Sequence, residues 1–453
     1  MIHWRVLAAV GAMNWGGYFI YDIPASLSTP LSAHLSLSDH NFAYLISLLY
    51  TVYAVPNTVL PFLSGPAVQR FGERSVLLVI TSSIILGQLL FALSVQTRFE
   101  FGMVVGRALI GLGGEVVGVI GCEIITRWFQ DKSLSLALAI NLSAGRLGSV
   151  ANSTIIPRVT ELYGVAPATW IATALSLGVA TIGALYLLTV TKPAADKPQH
   201  EDDGCTNAVD PLSIRQFSSV FWQLALISFL TYGCLNPFTN SAQRFLAVRY
   251  YHGDQLSAGS AMSIVFILSG ILVPAFGLLL DSLSSASYPR VLVVSNVLLA
   301  LVHAIFLTGA GTSPILPLCL LGTADALFTV CFWASVVRCL LPPATDLHVH
   351  TPLLKAEDSG SERVCGPYGP ATDTPNPEED RERLGAENLA TPSGDAFRTL
   401  GVGIMTSLLN TSTALVPIPL AVMENLAGLA GLESVFLMLA FAAFLAAVRL
   451  AWI

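Results

Sequence analysis

The chain has 453 residues, 54% of them hydrophobic and only 11% charged, with a formal net charge of −7 and a mean hydropathy of +0.68. No soluble globular protein of this size has that balance; it describes a polytopic protein of the lipid bilayer, and no nucleic-acid partner is expected. Leu341–Asp395 alone holds four Lys/Arg and eleven Asp/Glu, which accounts for the whole net charge, so the acidity does not argue for a cationic ligand.

In chain order, twelve apolar runs of about 20 residues, each long enough to cross a bilayer as a helix, are expected near 6–27, 42–64, 76–95, 101–124, 134–156 and 168–190, then 220–243, 257–280, 291–308, 314–340, 397–422 and 429–448. Thr191–Gln216 is polar, with Lys-Pro, Glu-Asp-Asp-Gly and Asp-Pro steps that mark an exposed linker. Leu341–Asp395 is rich in Pro, Gly, Asp and Glu and lacks the apolar content to fold alone. The expected organisation is all-α: a six-helix half over 1–190, a cytosolic linker over 191–216, and a second six-helix half over 217–453 with a disordered acidic insertion at 341–395.

Lys and Arg concentrate in alternate loops: Arg70 and Arg74, Arg127 and Lys132, Lys192 and Lys197, Arg290, Arg338. The positive-inside rule then places both termini in the cytosol. The first run has span length and no small-residue cleavage site, so it reads as a retained helix. The seven cysteines have neither metal-ligand nor disulfide spacing. No catalytic constellation is present either, so no enzyme, cofactor or metal site is expected.

The fourth and fifth runs carry charge where hydrocarbon should be. The fourth contains Gly106-Arg107-Ala108-Leu109-Ile110-Gly111-Leu112-Gly113-Gly114-Glu115, the fifth Asn141-Leu-Ser-Ala-Gly145-Arg146-Leu-Gly148. An ionised side chain there costs roughly 2.5–3.5 kcal/mol on insertion scales and is tolerated only where it faces protein or water. The glycines let another helix approach closely. Glu115 and Arg146 lie near the middle of adjacent antiparallel helices and make either a site for a small polar ligand or a structural ion pair. A zwitterion suits the first reading: Arg146 offers its carboxylate a bidentate fork and Glu115 takes its ammonium. Tyr18, Tyr21, Tyr50, Tyr53 and Trp333 would form a tolerant wall for side chains.

Other polar residues have blander readings. Asp22, just before Pro24, suits a turn or cap as well as a ligand. Asp325, in Gly322-Thr323-Ala324-Asp325, can titrate or pair with a cation. Arg107 is expected to be structural, satisfying carbonyls or a neighbouring helix end, Glu123 and Arg127 to pair locally one turn apart, and His303 to be a satisfied core residue. Asn57, Asn236 and Asn410 are expected to hydrogen-bond between helices.

Gly65-Pro-Ala-Val-Gln69-Arg70-Phe-Gly72-Glu-Arg74 follows the second run, and Gly277-Leu-Leu-Leu-Asp281 follows the eighth, the corresponding place in the other half. The first resembles the loop motif Gly-x-x-x-Asp-Arg-x-Gly-Arg of the major facilitator superfamily. Gln69 replaces its Asp, which would weaken the usual latch between helices; Asp281 keeps the acid in the second copy. Arg107-x-x-x-Gly111-x-Gly113 resembles that superfamily's fourth-helix motif. The resemblance implies two halves rocking around a midplane site.

A narrower resemblance runs through Gly17-Tyr18-Phe19-Ile20-Tyr21-Asp22-Ile23-Pro24-Ala25-Ser26-Leu27, Gly106-Arg107, Gly113-Gly114-Glu115, Arg127-Trp128-Phe129 and Ala144-Gly145-Arg146-Leu147-Gly148-Ser149-Val150-Ala151-Asn152. These segments are similar to the family of major facilitator superfamily domain-containing protein 1, lysosomal dipeptide transporters. That implies Glu115 and Arg146 as the substrate-contacting acid and arginine, with Trp333 matching a family tryptophan. It further implies a dipeptide uniporter of a lysosomal or vacuolar-type membrane, the plasma membrane being the runner-up, and a glycosylated single-span accessory membrane protein as a candidate partner. Competing readings are an organic-anion facilitator using Arg107 and Arg146, and a non-transporting nutrient sensor or scaffold with 341–395 as its docking tail.

Overall fold

In hydrocarbon a backbone must satisfy its own N–H and C=O groups, so long apolar runs become helices. The computed structural model describes residues 2–129, 134–190, 216–309, 313–340 and 394–452, less some side chains, those of Gly65, Gln69 and Asp281 among them. The expected linker through residue 215 and the insertion through residue 393 lie outside these residues. Every regular element among the described residues is helical. The first half comprises α1 (Ile2–Ser26), the short α2 (Ser28–Leu35), α3 (Asp39–Asn57), α4 (Leu60–Phe71), α5 (Glu73–Thr97), α6 (Glu100–Phe129), α7 (Leu134–Tyr163) and α8 (Val165–Val190). The second comprises α9 (Ser219–Tyr250), α10 (Gln255–Ser282), α11 (Tyr288–Thr308), α12 (Ile315–Cys339), α13 (Gly394–Leu415) and α14 (Pro417–Ala451).

Eight stretches among the described residues are long and apolar enough to cross a membrane: α5, α6, α8, α9, α10, α11, α12 and the 52-residue stretch Leu400–Ala451. That last stretch is broken at Gly428, whose φ of 63° no helix contains, so it supplies two crossings. α1, α3 with α4, and α7 fall outside that set, α4 because it has only 12 residues; with them the expected number of twelve would be reached. These helices carry Tyr18, Asp22, Tyr53 and Arg146, and their polarity marks them as facing protein rather than lipid. The second crossing is interrupted after Asn57 and then continues as helix from Leu60 to Phe71, so the expected loop at 65–74 is reduced to a corner at Gly72 (φ 79°). Likewise α13 starts at Gly394, inside the end of the expected insertion.

The halves have separate cores. One cluster of buried side chains runs from Phe217 to Leu450, and two others lie between Val6 and Leu187. Within the first half α1 packs on α7 and α8, and α6 on α5 and α3; within the second α12 packs on α10 and α11, and α9 and α11 on α14. The halves meet along two seams, α7 against α10 and α3 against α13 and α14. Ser143 Oγ donates to the Gly270 carbonyl at 3.2 Å in the first seam, and Thr51 Oγ1 to the Ala414 carbonyl at 2.8 Å in the second.

Lipid offers no hydrophobic drive for helices to pair, so close backbone approach has to hold them. A Cβ on Gly106 would lie 2.8 Å from the Gly87 carbonyl oxygen, and one on Gly113 2.7 Å from that of Ile80. These two glycines seat α6 on α5, while Gly111 seats it directly on the Tyr53 backbone of α3.

At the end bearing Gly72, Arg127 Nη1 is 2.7 Å from Glu73 Oε2 and its Nη2 is 3.0 Å from Glu123 Oε1. The local Glu123–Arg127 pair is therefore extended to α5 by Glu73, which ties α6 to α5 at that end. Arg70 is exposed, with its guanidinium 5.4 Å from the Phe71 ring. His303 is a satisfied core residue: Nδ1 lies 2.8 Å from Glu433 Oε2 and Nε2 3.2 Å from Cys234 Sγ. Of the three asparagines expected to bridge helices only Asn236 does so, to Thr413 Oγ1 at 3.0 Å. Asn57 and Asn410 donate to the carbonyls four residues back in their own helices, Tyr53 and Thr406, the acceptors nearest to a short amide on a helix.

Candidate functional site

The site is built on the interrupted end of α1. Pro24 has no amide hydrogen, so the Ile20 carbonyl four residues earlier loses its helical donor. Arg107 of α6 replaces it: Nη1 donates to the Ile20 carbonyl at 3.2 Å and Nη2 to that of Tyr21 at 3.3 Å. The Ala25 N–H donates to Tyr50 Oη at 3.1 Å. Asn152 of α7 donates to the Phe19 carbonyl at 2.8 Å and accepts from Ser26 Oγ. Three helices thus hold one non-ideal turn. Arg107 is 1% exposed, and its guanidinium lies 5.7, 5.2 and 4.9 Å from the rings of Tyr21, Tyr50 and Tyr53. A cation boxed by three π-faces and committed to two carbonyls is a structural group.

That turn sets the face of α1 carrying Tyr18, Tyr21 and Asp22, which share it by their spacing of three and four residues. Tyr18 lies within electrostatic reach of Arg146, Glu115, Asp325 and Asp22, and its ring presses on Gly145 of α7, where a Cβ would come within 2.8 Å of it. Tyr21 packs edge-on against Tyr50 and Tyr53, with ring centroids 5.3 and 5.0 Å apart. Asp22 Oδ2 is buried and has no hydrogen-bond partner among the described residues.

Glu115 and Arg146 are not each other's partners. Arg146 Nη2 is 2.8 Å from Asp325 Oδ2 of α12, and Ser269 Oγ of α10 donates to the same oxygen at 2.7 Å. The two side chains are 18% and 11% exposed, and Arg146 Nε is buried with no partner among the described residues. The arginine therefore joins the halves; of the two readings of Glu115 and Arg146, the structural ion pair between them is not formed, and the acid on Arg146 comes from α12. Glu115 is half-buried and makes no ion pair and no hydrogen bond among the described residues. Tyr53 lies within electrostatic reach of the Glu115 carboxylate.

The far wall comes from α9 and α12. Trp333 is half-buried, its ring 5.2 Å from that of Phe332. Tyr232 of α9 packs on Phe328 at 5.2 Å and lies within electrostatic reach of Arg146 and Asp325. Tyr232 and Ser269 were not singled out in the sequence, and Asn152 only as the end of the family-like segment on α7. Uncharged residues in apolar runs carry no signal of their own, and only packing puts them at the centre. Of the expected motif residues, Arg70, Gly72 and the Gly111–Gly113 pair lie at the bundle end or in the helix contacts, apart from this centre.

The arrangement is one arginine between halves, one acid already on it, and two further carboxylates, Glu115 and Asp22, the latter hydrogen-bonded by Ser149 with its Oδ2 unpartnered among the described residues. It can exchange an internal carboxylate for that of a ligand and meet an ammonium with another. Among the described residues no cluster of three metal-binding side chains occurs.

The family model described as Major Facilitator Superfamily matches residues 7–344. The chain is 28% identical over 341 residues to the Homo sapiens protein named lysosomal dipeptide transporter MFSD1, covering 73% of this chain and 72% of that one. To its Mus musculus counterpart it is 30% identical over 342 residues, with the same shares covered. Among solved structures it is similar to a D-xylose-proton symporter, with a TM-score of 0.69, 14% identity, and 99% and 97% of the two chains covered. It is likewise similar to nucleoside transporter NupG, with a TM-score of 0.63, 14% identity and the same shares covered. At that identity these structures speak for the fold alone.

Proposed function

Because the chain belongs to the major facilitator superfamily, and within it to the family of the lysosomal dipeptide transporter MFSD1, we propose that it carries dipeptides and similar small zwitterions by alternating access about the Arg146 site. It is a membrane transporter and not an enzyme. The halves over 1–190 and 217–453 rock against each other, and the site passes from one side of the membrane to the other.

The observation that carries this reading is the unequal engagement of the charges: Arg146 holds Asp325 across the halves while Glu115 holds nothing among the described residues. A ligand carboxylate takes the guanidinium fork from Asp325. Its ammonium sits on Glu115 and on the Asp325 carboxylate it has released. Asp22 adds negative potential, and Tyr18, Tyr21, Tyr53 and Trp333 contact side chains without selecting among them. Breaking the Arg146–Asp325 link removes one tie between α7 and α12, which couples binding to the movement of the halves.

We place both termini in the cytosol and the end bearing α2 in the lumen of a lysosome-like compartment, as the loop charges and the relatives' names suggest. An accessory single-span membrane protein would dock on that lumenal end, and co-purification from the native membrane tests for it. The transport reading is tested by uptake of a radiolabelled dipeptide into proteoliposomes. Unlabelled dipeptides should compete and small organic anions should not. Binding without any uptake would sink the transport reading in favour of a sensor, and competition by anions alone would favour an anion facilitator.

A further inference from the structure

At the end of the bundle that carries α2, a cavity of about 460 Å³ opens between α2 and α3 of the first half and α9 and α14 of the second. Small-molecule sites typically occupy roughly 300–1,000 Å³. This cavity is separate from the Arg146 centre: neither Arg146 nor Asp325, Glu115 or Trp333 lines it. Tyr50 and Asn240 form its inner wall. Asn240 Nδ2 donates to Tyr21 Oη at 2.9 Å, so a hydrogen bond between the halves stands between this cavity and the tyrosines of the centre.

Both charges needed for a zwitterion are present. Arg244 Nη1 lies 2.9 Å from Glu424 Oε1, and Nη2 lies 3.2 Å from Asp39 Oδ1. The Asp39 side chain is 92% exposed, so its pairing with Arg244 is screened by solvent and readily exchanged for another carboxylate. Three polar atoms on the lining residues are buried without a hydrogen-bond partner among the described residues: Ser28 Oγ, Asn240 Oδ1 and Asn425 Nδ2. Ser28 is 3% exposed and Asn240 5%. Buried polar groups are nearly always satisfied, and leaving one orphaned is costly. These atoms are closed to solvent as the cavity stands; a side-chain shift toward the cavity lets a carboxylate and an ammonium satisfy donor and acceptor alike, which an apolar occupant cannot.

We propose that this cavity is a second, entry-side binding site for the same class of zwitterion as the central one. Arg244 and Asn425 take the ligand carboxylate in place of Asp39, and Glu424 with Asn240 Oδ1 takes the ammonium. Opening of the Tyr21–Asn240 hydrogen bond then passes the ligand inward. The proposal rests on the dipeptide reading of the central site, and its test separates the two.

The experiment is equilibrium binding of radiolabelled alanyl-alanine to the full chain in phosphatidylcholine nanodiscs. R146A should abolish the tighter class of binding and leave a weaker one. Adding R244Q or N425L in that background should weaken the residual binding by about tenfold or more, the loss expected for one hydrogen bond to a charged group. N425L leaves the Arg244–Glu424 pair in place, so it serves if R244Q fails to fold; a melting curve decides that. If R146A removes all binding that the wild type shows, the second site is refuted and the central reading stands. Residual binding indifferent to both R244Q and N425L would place the second ligand elsewhere and overturn the assignment. If the wild type binds no dipeptide at all, both readings fall.

Discussion

Arg146 and Asp325 lie 2.8 Å apart on α7 and α12, one from each half of the protein. Removing one partner of a buried ion pair strands the other, at a cost of about 3–5 kcal/mol, whereas removing both is often close to neutral. R146A should therefore lower the melting temperature clearly, and the double variant R146A/D325A should recover most of the loss while remaining inactive in uptake. R146K retains the charge but not the fork and should lose about tenfold or more in dipeptide affinity, in line with roughly 1.5–3 kcal/mol for a hydrogen bond to a charged group. Dipeptide transport surviving in R146A would end the assignment of Arg146 to the ligand carboxylate.

Glu115 differs because it has no ion pair to lose. E115Q should melt within about 0.5 kcal/mol of the wild type, as substitutions that break no specific interaction do. It should weaken binding of free-amine dipeptides while leaving N-acetylated dipeptides nearly unaffected. Equal weakening of both ligand types would mean that the carboxylate does not meet the ammonium.

The Arg107–Pro24 relationship makes a prediction about stability alone. R107Q leaves the Ile20 and Tyr21 carbonyls without their donor and should cost about 1–3 kcal/mol for each buried acceptor left unsatisfied. P24A restores an amide hydrogen to the Ile20 carbonyl, so R107Q/P24A should melt above R107Q. If adding P24A lowers the melting point further, Arg107 does not act by replacing the missing helical bond.

A fourth prediction concerns the loop between α9 and α10. Asp254 caps α10, accepting from the Leu256 and Ser257 amides at 2.9 and 3.3 Å. The Ser257 side chain's hydrogen bond, followed by those two amides, holds the Asp254 carboxyl below the usual aspartate range. A carboxyl lowered by folding stabilises fully above its unfolded value near 3.9, and that contribution is lost as pH falls through the lower folded value. D254A should therefore cost about 0.5–2 kcal/mol, as lost N-caps do. The deficit should be the same at neutral pH and at about pH 5, shrinking only below about pH 4. A deficit that vanishes already at about pH 5 would contradict a lowered carboxyl.

The sequence alone determined the fold class, the approximate crossings and the two anomalous residues Glu115 and Arg146. Hydropathy is summed along the chain, and charge in hydrocarbon is conspicuous wherever it occurs. The glycine spacing on α6 was legible in part: Gly106, Gly111 and Gly113 each meet a neighbouring backbone, while Gly118 on the same helix faces open space. Which acid meets Arg146 was not legible. Asp325 lies 179 positions away in the other half, and no periodicity within one helix reports how two bundles are set against each other. The duty of Arg107 toward the carbonyl freed by Pro24, the Glu73–Arg127 tie between α5 and α6 and the burial of Glu433 against His303 are of the same kind. Each is a short polar contact between distant segments, decided by the rotation and depth at which the helices pack, and only the tertiary structure sets those.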